Sequence, residues 1–372
     1  MFLPSRISNF VSQSSVSAAN RVDYNKSEFN DYRVSSSEAS LQSSLISPVQ
    51  QPSGKVVTLG LAEVGVEVVR KTASLLKAQS WECTHTFLRN SQAVAFSPDG
   101  KLLATGSTSI KLLDLQTGHL VRTINRDSGI LKSLAFSPDS KTLISTGLSQ
   151  LIELWNLETG EQIREYTTHA YAVNALVFGA DCKTFASGDR GKTVQIWNTD
   201  EEHALATFVK HDDWVNALAI SSNGAILASA SYDETIKLWN LNTNTEIATF
   251  NAQSPVFSIA FSPDGRLFVC GCADGKIKLW NWQTGEFIGV IVGHADEVNS
   301  VAINNDSTIM ASGCADSTIK LWNLQTGEEI TTLAGHICGV KNLTFSPDGG
   351  MLVSAGANGA VKVWQRGQHS KN

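Results

Sequence analysis

An all-β ring of seven four-stranded blades is predicted by three observations. Tryptophan recurs at Trp155, Trp197, Trp239, Trp280, Trp322 and Trp364, at intervals of 42, 42, 41, 42 and 42 residues, and Leu113 fills the same column 42 residues earlier. Each interval holds four short apolar runs parted by turn signals. The third run is bulky on both faces, so its sheet must be covered on both sides. A fixed period near 40 residues marks a repeat architecture whose units bury their faces by stacking on neighbours. Stacked wedges of this kind close radially into a seven-bladed β-propeller.

Residues 209–250 illustrate the unit. Its strands are read at Val215–Ile220, Ile226–Ala230, Thr235–Asn240 and Glu246–Phe250. Ile236 and Leu238 point one way along the third strand, Lys237 and Trp239 the other. The first turn reads Ser-Pro-Asp-Gly at Ser97–Gly100, Ser262–Gly265 and Ser346–Gly349. Proline presets φ there and glycine closes the turn. The third turn places Gly118, Gly160, Gly285 and Gly327 in one column that calls for positive φ. Asn244 can substitute at that position, whereas Glu202 fits it poorly.

The 372 residues are 42% hydrophobic and 17% charged, enough apolar surface for a large core. No stretch approaches the ~18–20 apolar residues that span a bilayer, and the N-terminus lacks the apolar run of a secretory signal. Six cysteines without disulfide or Cys-x-x-Cys spacing suggest free thiols and a cytoplasmic protein. Residues 1–80 hold eight Lys/Arg against six Asp/Glu, and the remainder 21 against 29. That acidic body gives no reason to expect nucleic acid or an anionic membrane as partner.

Four regions follow. Residues 1–60 read as a disordered leader, with 14 serines in the first 50 residues. Residues 61–80 place Leu61, Val64, Val68 and Leu75 at roughly helical spacing, although Val64–Val68 also alternates as a strand would. The propeller covers residues 81–367, and 368–372 form a short tail. The seventh unit ends after its third strand, Ala360–Trp364, while Glu82–Phe87 precedes the first unit as an orphan fourth strand.

Residues 81–366 resemble the WD-repeat β-propeller family. The resemblance rests on Gly293-His294, Ala311-Ser312-Gly313, the run Asp316–Asn323 and Gln325–Glu328, recurring in seven copies. Asn replaces the last residue of most Trp-Asp pairs, as in cyanobacterial-type WD-repeat proteins. The resemblance implies ring closure by pairing Glu82–Phe87 into the last blade. It also implies buried structural chains of His211, Ser229, Asp233 and Trp239, and of His294, Ser312, Asp316 and Trp322. Blade three keeps His169, Ser187 and Trp197 but has Gly191 in the Asp column. Blade seven has His336, Ser354 and Trp364 with Asn358 there, and blade five has Gln253 and Cys270 beside Asp274 and Trp280.

A Ser-His-Asp constellation recurring once per blade reads as structural rather than catalytic, because no nucleophile elbow accompanies it. No catalytic, cofactor-binding or metal-binding residue is assigned, and Cys270 and Cys272 read as small buried residues. Function then falls to the exposed loops. Tyr171, Arg190, Trp214 and Tyr232 concentrate on the rim of blades three and four, with Asp213 and Glu297 as acidic contacts. Tryptophan, tyrosine and arginine are the residues enriched at binding hot spots. The expected function is a non-enzymatic scaffold for protein or peptide partners, as a monomer or part of a complex. The alternatives are an enzyme or small-molecule sensor using the central channel, and a regulatory partner of a signalling enzyme.

Overall fold

In the computed structural model, which describes residues 80–88, 91, 93–167 and 169–367, the four-run unit becomes a four-stranded antiparallel sheet seven times over. The described residues form 28 strands and no helix. Blade four consists of Val215–Ile220, Ile226–Ser231, Thr235–Asn240 and Thr245–Asn251, paired in sequence order. The seven blades comprise residues 93–125, 131–166, 173–209, 215–251, 256–292, 298–333 and 340–366, the last completed from upstream. The leader expected at 1–60, the segment expected at 61–80 up to residue 79, and the tail at 368–372 lie outside the described residues.

Closure follows the expected exchange. Trp81–Leu88 pairs antiparallel with Ala360–Arg366, from Trp81 opposite Arg366 to Leu88 opposite Ala360. Blade seven is therefore ordered Trp81–Leu88, Ala360–Arg366, Met351–Gly356, Val340–Phe345. Trp81 is buried against Phe345, edge to face at 6.0 Å. This pairing covers a strand edge that would otherwise stay open.

Seven buried apolar clusters among the described residues match the seven blade interfaces. Ile236 and Leu238 pack against Val256, Ile259 and Phe268 of blade five. Trp239, on the opposite face of the same strand, packs against Ala186, Val194 and Ile196 of blade three. Val94, Phe96, Leu103 and Leu113 of blade one meet Val353, Ala355, Val361 and Val363 of blade seven, so the ring has no free face. A third strand bulky on both sides is thus the local cause of the ring.

The turns explain the loop chemistry. Ser97 Oγ donates to Asp99 Oδ1 at 2.6 Å and accepts from the Leu102 amide at 2.8 Å, and Gly100 takes φ 72°. Asn244 adopts the positive φ expected of it, at 53°. Glu202 does not, and residues 199–205 connect their strands by another course, with the Leu205 amide bonded to Ile196 O.

Candidate functional site

Two groups of polar residues stand out, one buried between blades and one on the rim. In blade four the Trp239 indole donates to Ser229 Oγ at 2.9 Å, and Ser229 Oγ lies 2.7 Å from His211 Nε2. His211 Nδ1 meets Asp233 Oδ2 at 2.8 Å, and Asp233 also accepts from Thr235 Oγ1 and the Asp212 amide. Because the Asp233 carboxylate can only accept, the proton of a neutral imidazole sits on Nδ1, and Ser229 Oγ donates to Nε2. Blade six repeats the chain through Trp322, Ser312, His294 and Asp316, at 2.8, 2.7 and 3.1 Å. Burial alone would raise the Asp233 and Asp316 carboxyls, but the hydrogen bonds they accept outweigh it and hold both well below the usual range. Burial keeps His294 below its ordinary value, hence neutral near pH 7.

Ser187, Ser229, Ser312 and Ser354 have no exposed surface. A serine with no route to substrate cannot attack one, so these chains satisfy buried polar groups.

Blade three corrects the sequence reading. The missing acid is supplied by Asp189, two residues before the expected column. Its carboxylate lies 3.0 Å from His169 Nδ1 and accepts from the Thr193 amide and hydroxyl, each at 2.8 Å. A Cβ on Gly191 would fall 2.8 Å from Asp189 Oδ2 and 2.6 Å from the Tyr171 ring, so glycine makes room for the displaced carboxylate. In blade two, buried Arg126 and Glu153 take over. Glu153 Oε2 accepts from Arg126 Nε at 2.6 Å and Ser145 Oγ at 2.9 Å, and Ser145 accepts the Trp155 indole at 2.9 Å.

Blade seven leaves a defect: the Asn358 column supplies no acid, and buried His336 Nδ1 has no partner. Burial, reinforced by the Lys362 charge, pushes His336 down to about 4. An unfolded histidine protonates near pH ~6.5, so the unfolded chain binds that proton before the native one does. This group therefore withdraws stability as pH falls from about 6.5 towards 4. Asn358→Asp with Ala360→Thr rebuilds the blade-six arrangement. It should add about 1 kcal/mol at neutral pH and lessen acid sensitivity in that window. Urea melts at several pH values check both effects.

His294, Cys314 and Asp316 place ligand-type atoms within 4.8 Å of one another. Cys314 Sγ donates to Asp296 O at 3.1 Å and accepts from the Asp316 amide at 3.3 Å. Ser231 makes the same two bonds in blade four, at 3.0 and 3.1 Å. Burial pushes the Cys314 thiol up to about 12. The shared pair of bonds makes Cys314 the counterpart of Ser231. Cys270 and Cys272 are buried with their sulfurs 3.6 Å apart.

The rim brings most of its predicted residues together. The Arg190 guanidinium lies 4.7 Å over the Trp214 ring. Trp214 meets Tyr232 edge to face at 5.7 Å, and Tyr232 meets Phe257 likewise at 5.3 Å. Tyr171 is exposed beside Gly191. Asp213 caps the Trp214 amide through Oδ1 at 2.8 Å. Burial first, then the Glu297 and Asp213 charges, raise the Tyr232 phenol. One backbone bond braces each of these turns: Arg190 N to Ala172 O, Tyr232 N to Trp214 O, Ala315 N to Glu297 O and Ala357 N to Gly339 O, at 2.8–3.0 Å. The side chains therefore stand on a braced frame.

Phe257 was not anticipated. It is the second residue of its innermost strand, where the register shifts between Val256 and Ser258. Such a bulge re-aims a side chain that alternation would place elsewhere.

Comparison with protein-family models finds two matches. "WD domain, G-beta repeat" covers residues 81–112, 285–323 and 327–365. "IFT122 first beta-propeller" covers residues 130–292. WD40 repeats and an IFT122-type β-propeller domain are thus present in the chain. The repeat matches run from a fourth strand through the next blade's third, the stagger that sends Trp81–Leu88 into blade seven. No curated protein matches the chain.

Proposed function

We propose that the protein is a non-catalytic scaffold that docks a protein or peptide on the rim of blades three to five. WD40 β-propeller folds generally serve as protein-interaction scaffolds. The observation that carries the reading to this sector is the pair of exposed aromatics Trp214 and Tyr232, flanked by half-buried Arg190 and Phe257, where the turns equivalent to those of Arg190 and Tyr232 in blades six and seven carry Ala315 and Ala357. Rigid aromatics flanked by arginine bind at low entropic cost. Tyr171 extends the patch, and Asp213 and Glu297 supply acidic contacts at its border. The net charge of −6 disfavours nucleic acid and anionic membrane surfaces as partners. Six free cysteines support a cytoplasmic setting. The frequent Trp-Asn pairs support a cyanobacterial-type origin.

The test is affinity capture from the cells that make the protein, comparing wild type, Trp214→Ala and Phe287→Ala. Phe287 is comparably exposed, on the fourth strand of blade five. Trp214→Ala should weaken a true partner by about 2 kcal/mol, roughly 30-fold, with melting little changed. Phe287→Ala should leave capture intact. Equal recovery of all partners by wild type and Trp214→Ala removes the reading.

A further inference from the structure

The innermost strands of blades two to seven share one irregularity. After the first residue the register slips, leaving the second residue unpaired: Lys132, Asn174, Asn216, Phe257, Asn299 and Lys341. All six line one cavity of about 500 Å³ in the centre of the ring. Where the residue is asparagine it is structural. Asn174 Nδ2 donates to Val215 O at 3.2 Å, Asn216 to Val256 O at 3.0 Å and Asn299 to Val340 O at 3.0 Å. Each asparagine thereby clamps its blade to the next.

Lys132 and Lys341 depart from this rule and gain no compensating ion pair among the described residues. Among the described residues lining the cavity there is no carboxylate. Lys341 Nζ reaches only the neutral Asn299 Oδ1, at 3.4 Å. Arg190 adds a third cation at the edge, its Nε donating to Asn174 Oδ1 at 3.3 Å. Burial, then the like charges of Arg190 and Lys341, lower the Lys132 pKa, so Lys132 lies within electrostatic reach of both.

The rest of the lining also presents donors. Ser133, Ser258 and Ser300 accept the Leu176, Val301 and Leu343 amides at 3.2, 3.0 and 3.1 Å, which leaves each hydroxyl proton to be given. Two lysines and a tier of hydroxyl donors line one cavity that offers no carboxylate, in a chain of net charge −6, which makes it a local positive site suited to an anion. A cavity of this size suits a small ligand.

We propose that the channel binds a small, multiply charged anion bearing phosphate or carboxylate groups, held between Lys132 and Lys341. The site borders the rim patch at Arg190 and Phe257, but Lys132 and Lys341, which carry it, lie outside that patch. The chemistry can arrive as a free anion or as acidic side chains on a polypeptide, so calorimetry uses pyrophosphate for the first and acetyl-tetraaspartate for the second. The diagnostic variants are Lys132→Asn and Lys341→Asn, which install the residue the repeat itself uses and so should preserve melting. Each should weaken binding by roughly tenfold or more, as expected for loss of a charge-assisted hydrogen bond. Binding of pyrophosphate with that loss supports a free anion, and binding of the peptide alone with the same loss assigns the anion to a polypeptide. No binding of either probe, or binding that both variants leave unchanged, overturns the proposal.

Discussion

Deleting the strand Trp81–Leu88 should abolish sharp, cooperative melting and lower the melting temperature by roughly 10 °C or more. The deletion removes from blade seven a strand paired from Trp81 to Leu88 except at the bulge of Thr84, and takes buried Trp81 from the cluster it shares with Leu343, Phe345 and Trp364. Loss of one buried tryptophan alone costs about 3–5 kcal/mol. The deletion also uncovers the Ala360–Arg366 edge, inviting association between chains. Calorimetry with light scattering tests both consequences. Unchanged cooperative melting would mean that blade seven does not need its upstream strand.

The second large effect lies inside blade four. Trp239→Ala should cost about 3–5 kcal/mol in denaturant melts. Trp239 is completely buried, stacks on Phe208 at 4.4 Å and donates to Ser229. Asp233→Ala should cost on the order of 1–3 kcal/mol by stranding His211, Thr235 and the Asp212 amide. Asp189→Ala should cost a similar amount, because Asp189 serves His169 and Thr193 as Asp233 serves their counterparts. If Asp189→Ala were silent while Asp233→Ala was not, the displaced acid of blade three would carry no load. Trp239→Ala and Asp233→Ala together should cost less than their sum, since both break one chain through Ser229.

The ring was legible because its causes are local and repeated. Ile236, Leu238 and Trp239 declare a sheet buried on both sides, and the orphan run at Glu82–Phe87 declares the closure. The two buried chains were legible through the family resemblance, at the positions the structure gives them. Blade three was misread for a geometric reason. Column counting assumes that each role stays at one position, but a carboxylate at the strand end can reach the same imidazole once Gly191 removes the obstructing Cβ. Arg126 and Glu153 escaped notice likewise, because a buried ion pair replaced the expected residue types altogether.

The rim was partly legible. Arg190, Trp214 and Tyr232 stood out as residue types, and the structure stacks them. Phe257 and the channel lysines did not, because they sit within apolar strand runs and only a bulge turns them towards the ring's centre. A column of Lys132, Asn174, Asn216, Phe257, Asn299 and Lys341 was nevertheless readable, and its departures from asparagine are the signal that would have found them.

Site-specific photocrosslinking in the producing cells tests the scaffold reading most directly. A photoreactive residue at position 214 should give a discrete protein adduct that one at position 287 does not, and Arg190→Ala should diminish it. No adduct at 214, or the same adducts from both positions, would contradict the assignment of function to this sector.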